Sequence, residues 1–205
     1  MAAKYALMMI PLFLASKSPR RAALLKHLGL TFEIRTPRSQ EKTLRSGTDN
    51  EIVDTVCHNA LQKVLSILPT INIGLVIGGD TLVVTEANLV LGKPKTSDEA
   101  FQMLQGLSDK QHRVISAVAI VDASSKAKRI GHKWTKVTFR KASDGELQKY
   151  VLTQEPIGKA GGYAIQGKGG TLVESIEGSY TAVIGMPVEL VVSFLAHFGL
   201  QPNQY

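Results

Sequence analysis

Short apolar runs alternate along this chain with segments that carry their own helix-start signals, and that alternation confines it to the α/β class. Ile10 to Ala15 reads as a strand. Ser18 then offers an N-cap with Pro19 at the first helical position, Ala22, Leu24, Leu25 and Leu28 supply a buried face, and Gly29 ends the helix. Thr48 and Glu51 form a capping-box pattern that opens a longer helix to about Leu68, where Pro69 stops it. Leu75 to Ile77 reads as a buried strand ending at Gly78-Gly79-Asp80-Thr81. Leu82 to Thr85 and Leu89 to Leu91 follow as a hairpin around Glu86-Ala87-Asn88. Thr96 with Glu99, and Ser143 with Glu146, box two more helices that end near Gly106 and Leu152. Val114 to Val121, Lys133 to Arg140 and Leu172 to Ile176 read as strands, and Pro187 starts a last apolar helix that stops before Gly199. Pro156 to Thr171 holds six glycines, too many for a regular element, which predicts an exposed functional loop or a set of tight turns.

With 205 residues, no internal repeat and no long polar linker, the expectation is a single domain over 1–205. The only cysteine, Cys57, excludes a disulfide framework and any Cys-pair zinc site, and it suits a reducing, cytoplasmic setting. The five histidines show neither metal-ligand spacing nor a triad. Tyr5 to Ala15, the longest strongly apolar run, is about half a bilayer span and carries Pro11, so no membrane partner is expected. Lys4 followed by Ala6 to Ala15 has the dimensions of a secretion signal, but the run leads straight into Ser16-Lys17-Ser18-Pro19-Arg20-Arg21, which reads better as a strand turning into a helix.

A net charge of +7 leaves three kinds of partner open: nucleic acid, anionic membrane, or a small polyanion such as a nucleoside triphosphate. The densest basic cluster, Lys126, Lys128, Arg129, Lys133, Lys136, Arg140 and Lys141, flanks a hairpin and has no interleaved aromatics. It reads as a solvated face rather than a nucleic-acid track.

Four segments carry chemistry. Arg20 and Arg21 lie in the first turn of a helix, where like charge is unfavourable for stability and phosphate is a natural ligand. Asp80, among small residues, is suited to a divalent metal or to general-base work. Lys93, between Gly92 and Pro94, sits on a stiff exposed turn. In Gly158-Lys159-Ala160-Gly161-Gly162-Tyr163-Ala164-Ile165-Gln166-Gly167, glycines allow close backbone approach, Tyr163 offers a ring to pack, and Gln166 presents both a donor and an acceptor. The spacing fits neither a Walker loop nor a dinucleotide fingerprint.

In order, Leu14 to Arg21, Gly79-Asp80-Thr81, Gly92-Lys93-Pro94, Lys159 to Gly167 and Gly185-Met186-Pro187 resemble the Maf (septum-formation protein) family, over about Leu12 to Leu200. That family belongs to the inosine-triphosphate pyrophosphatase-like superfamily. The resemblance implies a nucleoside-triphosphate pyrophosphatase that cuts between the α and β phosphates with Mg²⁺ or Mn²⁺. Its fold would be a central twisted mixed sheet with flanking helices, in two lobes around a nucleotide cleft. The Lys159-to-Gly167 form is similar to the branch acting on dTTP and UTP. Carried over by position, Asp80 and Glu41 would hold the metal and serve catalysis with Lys93, while Ser18, Arg20, Arg21, Thr81, Lys159 and Gln166 would bind substrate. A second copy of the chain, as a homodimer, is the one protein partner that the resemblance leaves open.

Three positions depart from the family pattern: Gln40 and Gly158 each replace an aspartate, and Asn59 stands where a helix lysine is expected. Lys63, one turn later on the same face, is the expected substitute. These departures motivate an alternative reading, a nucleotide-binding regulator that hydrolyses weakly or not at all. A basic nucleic-acid-binding module is the third reading, and it lacks aromatic platforms.

Overall fold

The computed structural model describes residues 10–201, so residues 5–9 of the signal-like run lie outside the described residues. Strand β1 (Leu12–Ala15) turns at Ser16 into helix α1 (Pro19–His27), whose first turn is capped by Ser18 accepting from the Arg21 N–H. A three-residue strand, β2 (Glu33–Arg35), follows without any strong sequence signal. Helix α2 (Asp49–Ile67) forms both arms of the Thr48–Glu51 capping box and tightens into a 3-10 turn at Leu68–Thr70, where Pro69 blocks its extension.

The largest correction concerns β3. It runs unbroken from Leu75 to Thr85, so Gly78-Gly79-Asp80-Thr81 is the middle of a strand and not its end. The glycines serve packing rather than a turn: a Cβ on Gly78 would lie 2.6 Å from Val64 and 2.7 Å from the Ala60 carbonyl of α2. Helix and strand touch there, and Asp80, two residues on, faces the same helix. The remaining elements are β4 (Val90–Leu91), α3 (Ser97–Leu107), β5 (Gln111–Asp122), β6 (Lys128–Phe139), α4 (Asp144–Leu152), β7 (Val173–Glu177), α5 (Tyr180–Ile184) and α6 (Val188–His197). Both long strands exceed their expected spans, and α5 has no counterpart in the expected element order.

The seven-stranded sheet has the order β2-β1-β3-β5-β6-β7, with β4 paired to the far end of β3. β1 is parallel to β2 and β3, and every other pairing is antiparallel. The sheet is therefore mixed, as expected. Helix α2 covers one face through Ile52, Val56, Ala60 and Val64 against Val76, Ala117 and Ala119. On Leu14, Ile77, Val118 and Ile120 lie α1 and α6. At the other end of the long strands, α3 and α4 cover Val83, Val114 and Val137. A cleft opens between these last two bodies.

Pro156 to Thr171 forms tight turns, with 3-10 segments at Ala160–Gly162 and Lys168–Leu172. Tyr163 borders the cleft, but its ring is 7% exposed and packs edge-on to His112 and Phe139. The ring packs into the core while bordering the cleft. The basic cluster of β6 is mostly exposed, with Lys136 paired to Glu177 and Arg140 to Glu146. Among the described residues, no helix is long and apolar enough to cross a membrane.

Candidate active site

The cleft has a volume of about 600 Å³, within the range of small-molecule sites. Ser18, Arg20, Arg21, Glu41, Asp80, Thr81, Lys93 and Gln166 all line it. Five separate stretches of chain thus converge on one space. Lys159 is the exception: it is absent from the lining, and its ammonium bonds the backbone carbonyl of Glu155. The sequence position sat inside a cleft motif, but the extended backbone at Lys159 sends this side chain back along the turn.

Asp80 is 5% exposed, and both carboxylate oxygens are engaged. Oδ1 accepts from Lys63 Nζ at 2.6 Å, and Oδ2 accepts from Asn59 Nδ2 at 3.0 Å. The same ammonium reaches Glu41 Oε1 at 2.9 Å. Lys63 therefore ties the two carboxylates together from a helix position directly over β3. Burial opposes ionisation of Glu41, yet the Lys63 hydrogen bond and the charges of Lys63, Lys93 and Arg21 hold its pKa below the usual carboxylate value.

Asn59 and Lys63 thus share the Asp80 carboxylate between them. No ammonium is missing from the site, because Lys63 delivers it. Asn59 is 2% exposed, and its amide also accepts from the Lys42 N–H at 2.8 Å and donates to the Lys42 carbonyl at 3.0 Å. Those bonds hold the irregular segment that carries Glu41 against α2. The Asn59–Lys63 spacing of one helical turn was the available signal, since i and i+4 side chains share a face. Gly158 also has a local reason, a φ of 73° that an aspartate would adopt only with strain.

Arg21 is fixed in the wall. Its Nε donates to the Gly185 carbonyl at 2.8 Å and its Nη2 to Thr81 Oγ1 at 3.0 Å. Thr81 in turn meets Ser116 Oγ at 2.8 Å, and Ser116 donates to the Ala182 carbonyl at 2.6 Å. Burial lowers the pKa of Arg21, against the opposing pull of Asp80. Arg20 lies half-buried nearby, and desolvation lowers its pKa too. Lys93 is exposed at the cleft rim. Ser116 and Lys63 are the structural contributors that motif reading left unassigned or secondary.

The model described as Maf-like protein matches residues 11–198. The chain belongs to this Maf family. Among its relatives, the dTTP/UTP pyrophosphatase of Pelotomaculum thermopropionicum is 41% identical, covering 91% of this chain and 95% of the relative. The one from Moorella thermoacetica is 42% identical over 94% of this chain and 97% of its own. That of Shewanella oneidensis is 41% identical over 92% and 98%. The Staphylococcus aureus Ham1 protein has a similar fold, with a TM-score of 0.51 at 12% identity over 92% of this chain and 99% of that one. The mixed α/β fold is thus shared well beyond recognisable sequence.

Proposed function

We propose that this Maf protein hydrolyses dTTP and UTP to the nucleoside monophosphate and pyrophosphate. One observation carries the reading: a buried carboxylate, Asp80, faces a cleft whose walls also present Arg20, Arg21 and Lys93. Water attacks the α-phosphorus, the bond to the α–β bridging oxygen breaks, and pyrophosphate leaves with that oxygen. Such a reaction asks mainly for charge neutralisation and an aligned water.

Asp80 aligns the water and takes its proton, and Lys63 holds Asp80 and Glu41 in place while keeping Glu41 ionised. Arg20 and Lys93 hold phosphate oxygens, and Arg21 contributes from its fixed position in the wall. The Ser18 hydroxyl and the Arg20 N–H, at the start of α1, are offered to the same anion. The donor set suits a divalent cation, since Mg²⁺ binds through one or two carboxylates plus substrate phosphates and waters. Asp80 and Glu41 would hold Mg²⁺ or Mn²⁺, which when bound neutralises phosphate charge. Gln166 offers a donor and an acceptor to the O4 and N3–H edge shared by thymine and uracil. The free Cys57 fits a cytoplasmic enzyme.

The regulator reading drew on Asn59, Gln40 and Gly158. With Lys63 supplying the ammonium and Gly158 answering a backbone need, hydrolysis is the reading retained. A pyrophosphate-release screen over the common nucleoside triphosphates, with Mg²⁺ or Mn²⁺, tests it. UTP and dTTP should be cut at least tenfold more efficiently than CTP, with pyrophosphate and not orthophosphate released. Orthophosphate as the product, or inertness on every nucleotide, defeats the proposal.

A further inference from the structure

A glutamine amide can turn end for end, exchanging its donor and its acceptor, and so suits cytosine as readily as uracil. Gln166 has no protein hydrogen-bond partner among the described residues to fix that choice. Discrimination at this end of the cleft therefore needs polar groups whose direction is set, and the backbone supplies them. Ile165 and Gln166 line the cleft, and neither N–H takes a protein acceptor among the described residues. A backbone N–H can meet the O4 carbonyl of uracil or thymine, but not the amino group of cytosine.

What sets this backbone lies outside the cleft. Glu155 Oε1 accepts from the Gly169 N–H at 3.0 Å and from the Tyr150 hydroxyl at 2.8 Å, while Oε2 accepts from the Lys168 N–H at 3.1 Å. The Tyr150 oxygen then accepts from the Ala164 N–H at 3.1 Å. One carboxylate and one phenol thus hold both ends of the 164–169 turn. The fit is close: a Cβ on Gly167 would lie 2.3 Å from Glu155 Oε2, and one on Gly169 would lie 2.5 Å from the Tyr150 oxygen. These two glycines are required by the brace and not by their own dihedral angles.

We propose that Glu155, acting with Tyr150, is a positioning residue for base selection that fixes the direction of the Ile165 and Gln166 N–H groups. This rests on the pyrimidine-selective reading of the same cleft. An anionic acceptor makes the stronger class of hydrogen bond to a backbone N–H, and Glu155 makes two. Glu155→Gln keeps the shape but turns one acceptor into a donor, so an N–H of the turn loses its partner. The loss of negative charge near Arg20 acts on all triphosphates alike, which makes a ratio between bases the proper measure.

The experiment compares kcat/KM for UTP and CTP in the wild-type protein, Glu155→Gln and Tyr150→Phe, with amide hydrogen exchange over 164–170. Glu155→Gln should lower the UTP-to-CTP ratio at least tenfold, with kcat on UTP held within about threefold and exchange in the turn accelerated. Tyr150→Phe should move the ratio the same way, by about threefold, and it carries the test should Glu155→Gln fail to fold. An unchanged ratio in the folded variants, or an equal loss on both nucleotides, overturns the positioning role alone. A wild-type protein that cuts UTP and CTP equally overturns the pyrimidine-selective reading and this inference together.

Discussion

The two ends of the cleft are built by opposite means. At the carboxylate end, Asp80 sits in the middle of an 11-residue strand and meets Asn59 and Lys63 from a 19-residue helix. Its backbone is tied into the sheet opposite Ala117, so only side chains are left to do chemistry. At the end proposed for the base, residues 160–170 form turns whose backbone is not taken up by a ladder, and Glu155 and Tyr150 brace them. The charge is placed on regular elements, whereas the recognition proposed for the Ile165 and Gln166 N–H groups is placed where these two remain free of acceptors among the described residues.

The first way to break this comparison is Asp80→Asn. Losing the proton acceptor should lower turnover by about 10²-fold or more, on UTP and dTTP equally. The carboxamide oxygen can still accept from Lys63 or Asn59, so nucleotide binding and folding should survive. Because the base end is untouched, the UTP-to-CTP ratio should not move. Steady-state kinetics with nucleotide titration checks both parts, and a shifted ratio would mean that the two ends are not separable.

The second prediction sharpens the account of the carboxylate end. Asn59→Lys restores the residue type that the family pattern led one to expect, but at a buried position already completed by Lys63. It removes two bonds to the Lys42 backbone and sets a second ammonium beside the first. Denaturant unfolding should show a loss of about 2–3 kcal/mol, with no gain in turnover. A variant that is more active and equally stable would return the missing-charge role to position 59.

The same pair of ends shows what the sequence made legible. Helix starts at Ser18, Thr48, Thr96 and Ser143 were readable because capping is local, and all four accept the expected N–H. The cleft motifs were readable as motifs. Their geometry was not. Gly78-Gly79 carries a turn signal in sequence, and only the approach of α2 shows that Gly78 makes room for a helix, while Gly79 lies against the Ala117 carbonyl, Arg21 and Met186. Asn59 and Lys63 share one face by spacing, but whether the Lys63 ammonium reaches both Asp80 and Glu41 depends on how α2 lies over β3. Glu155 gave no signal at all, because its partners lie 13 and 14 residues on, across irregular turns. Lys159 was assigned to the cleft by its neighbours in the motif, yet a side chain next to a site can still leave it.

The smallest expected effect probes the core beneath the base end. His112 is fully buried, its Nε2 lies 2.9 Å from the Tyr163 hydroxyl, and its Nδ1 has no partner among the described residues. Burial pushes the imidazole pKa down to about 4 from an ordinary value near 6.5. Between those two values the unfolded chain binds a proton that the folded chain refuses. Stability from neutral His112 is therefore complete above about pH 6.5 and drains away as the pH falls towards 4. At pH 5 the loss attributable to this one residue should be about 2 kcal/mol relative to pH 7. His112→Gln keeps a polar partner for Tyr163 and cannot charge, so it should flatten that part of the pH profile while lowering stability at pH 7 through poorer packing. The carboxylate end offers a control, because Glu41, whose pKa is depressed, loses its contribution only at lower pH, as protons reach the carboxylate itself. Unfolding free energies at pH 7 and pH 5 for the two proteins decide the matter. If both lose the same amount, the imidazole is not held neutral, and the aromatic core beneath Tyr163 tolerates a charge that its burial argues against.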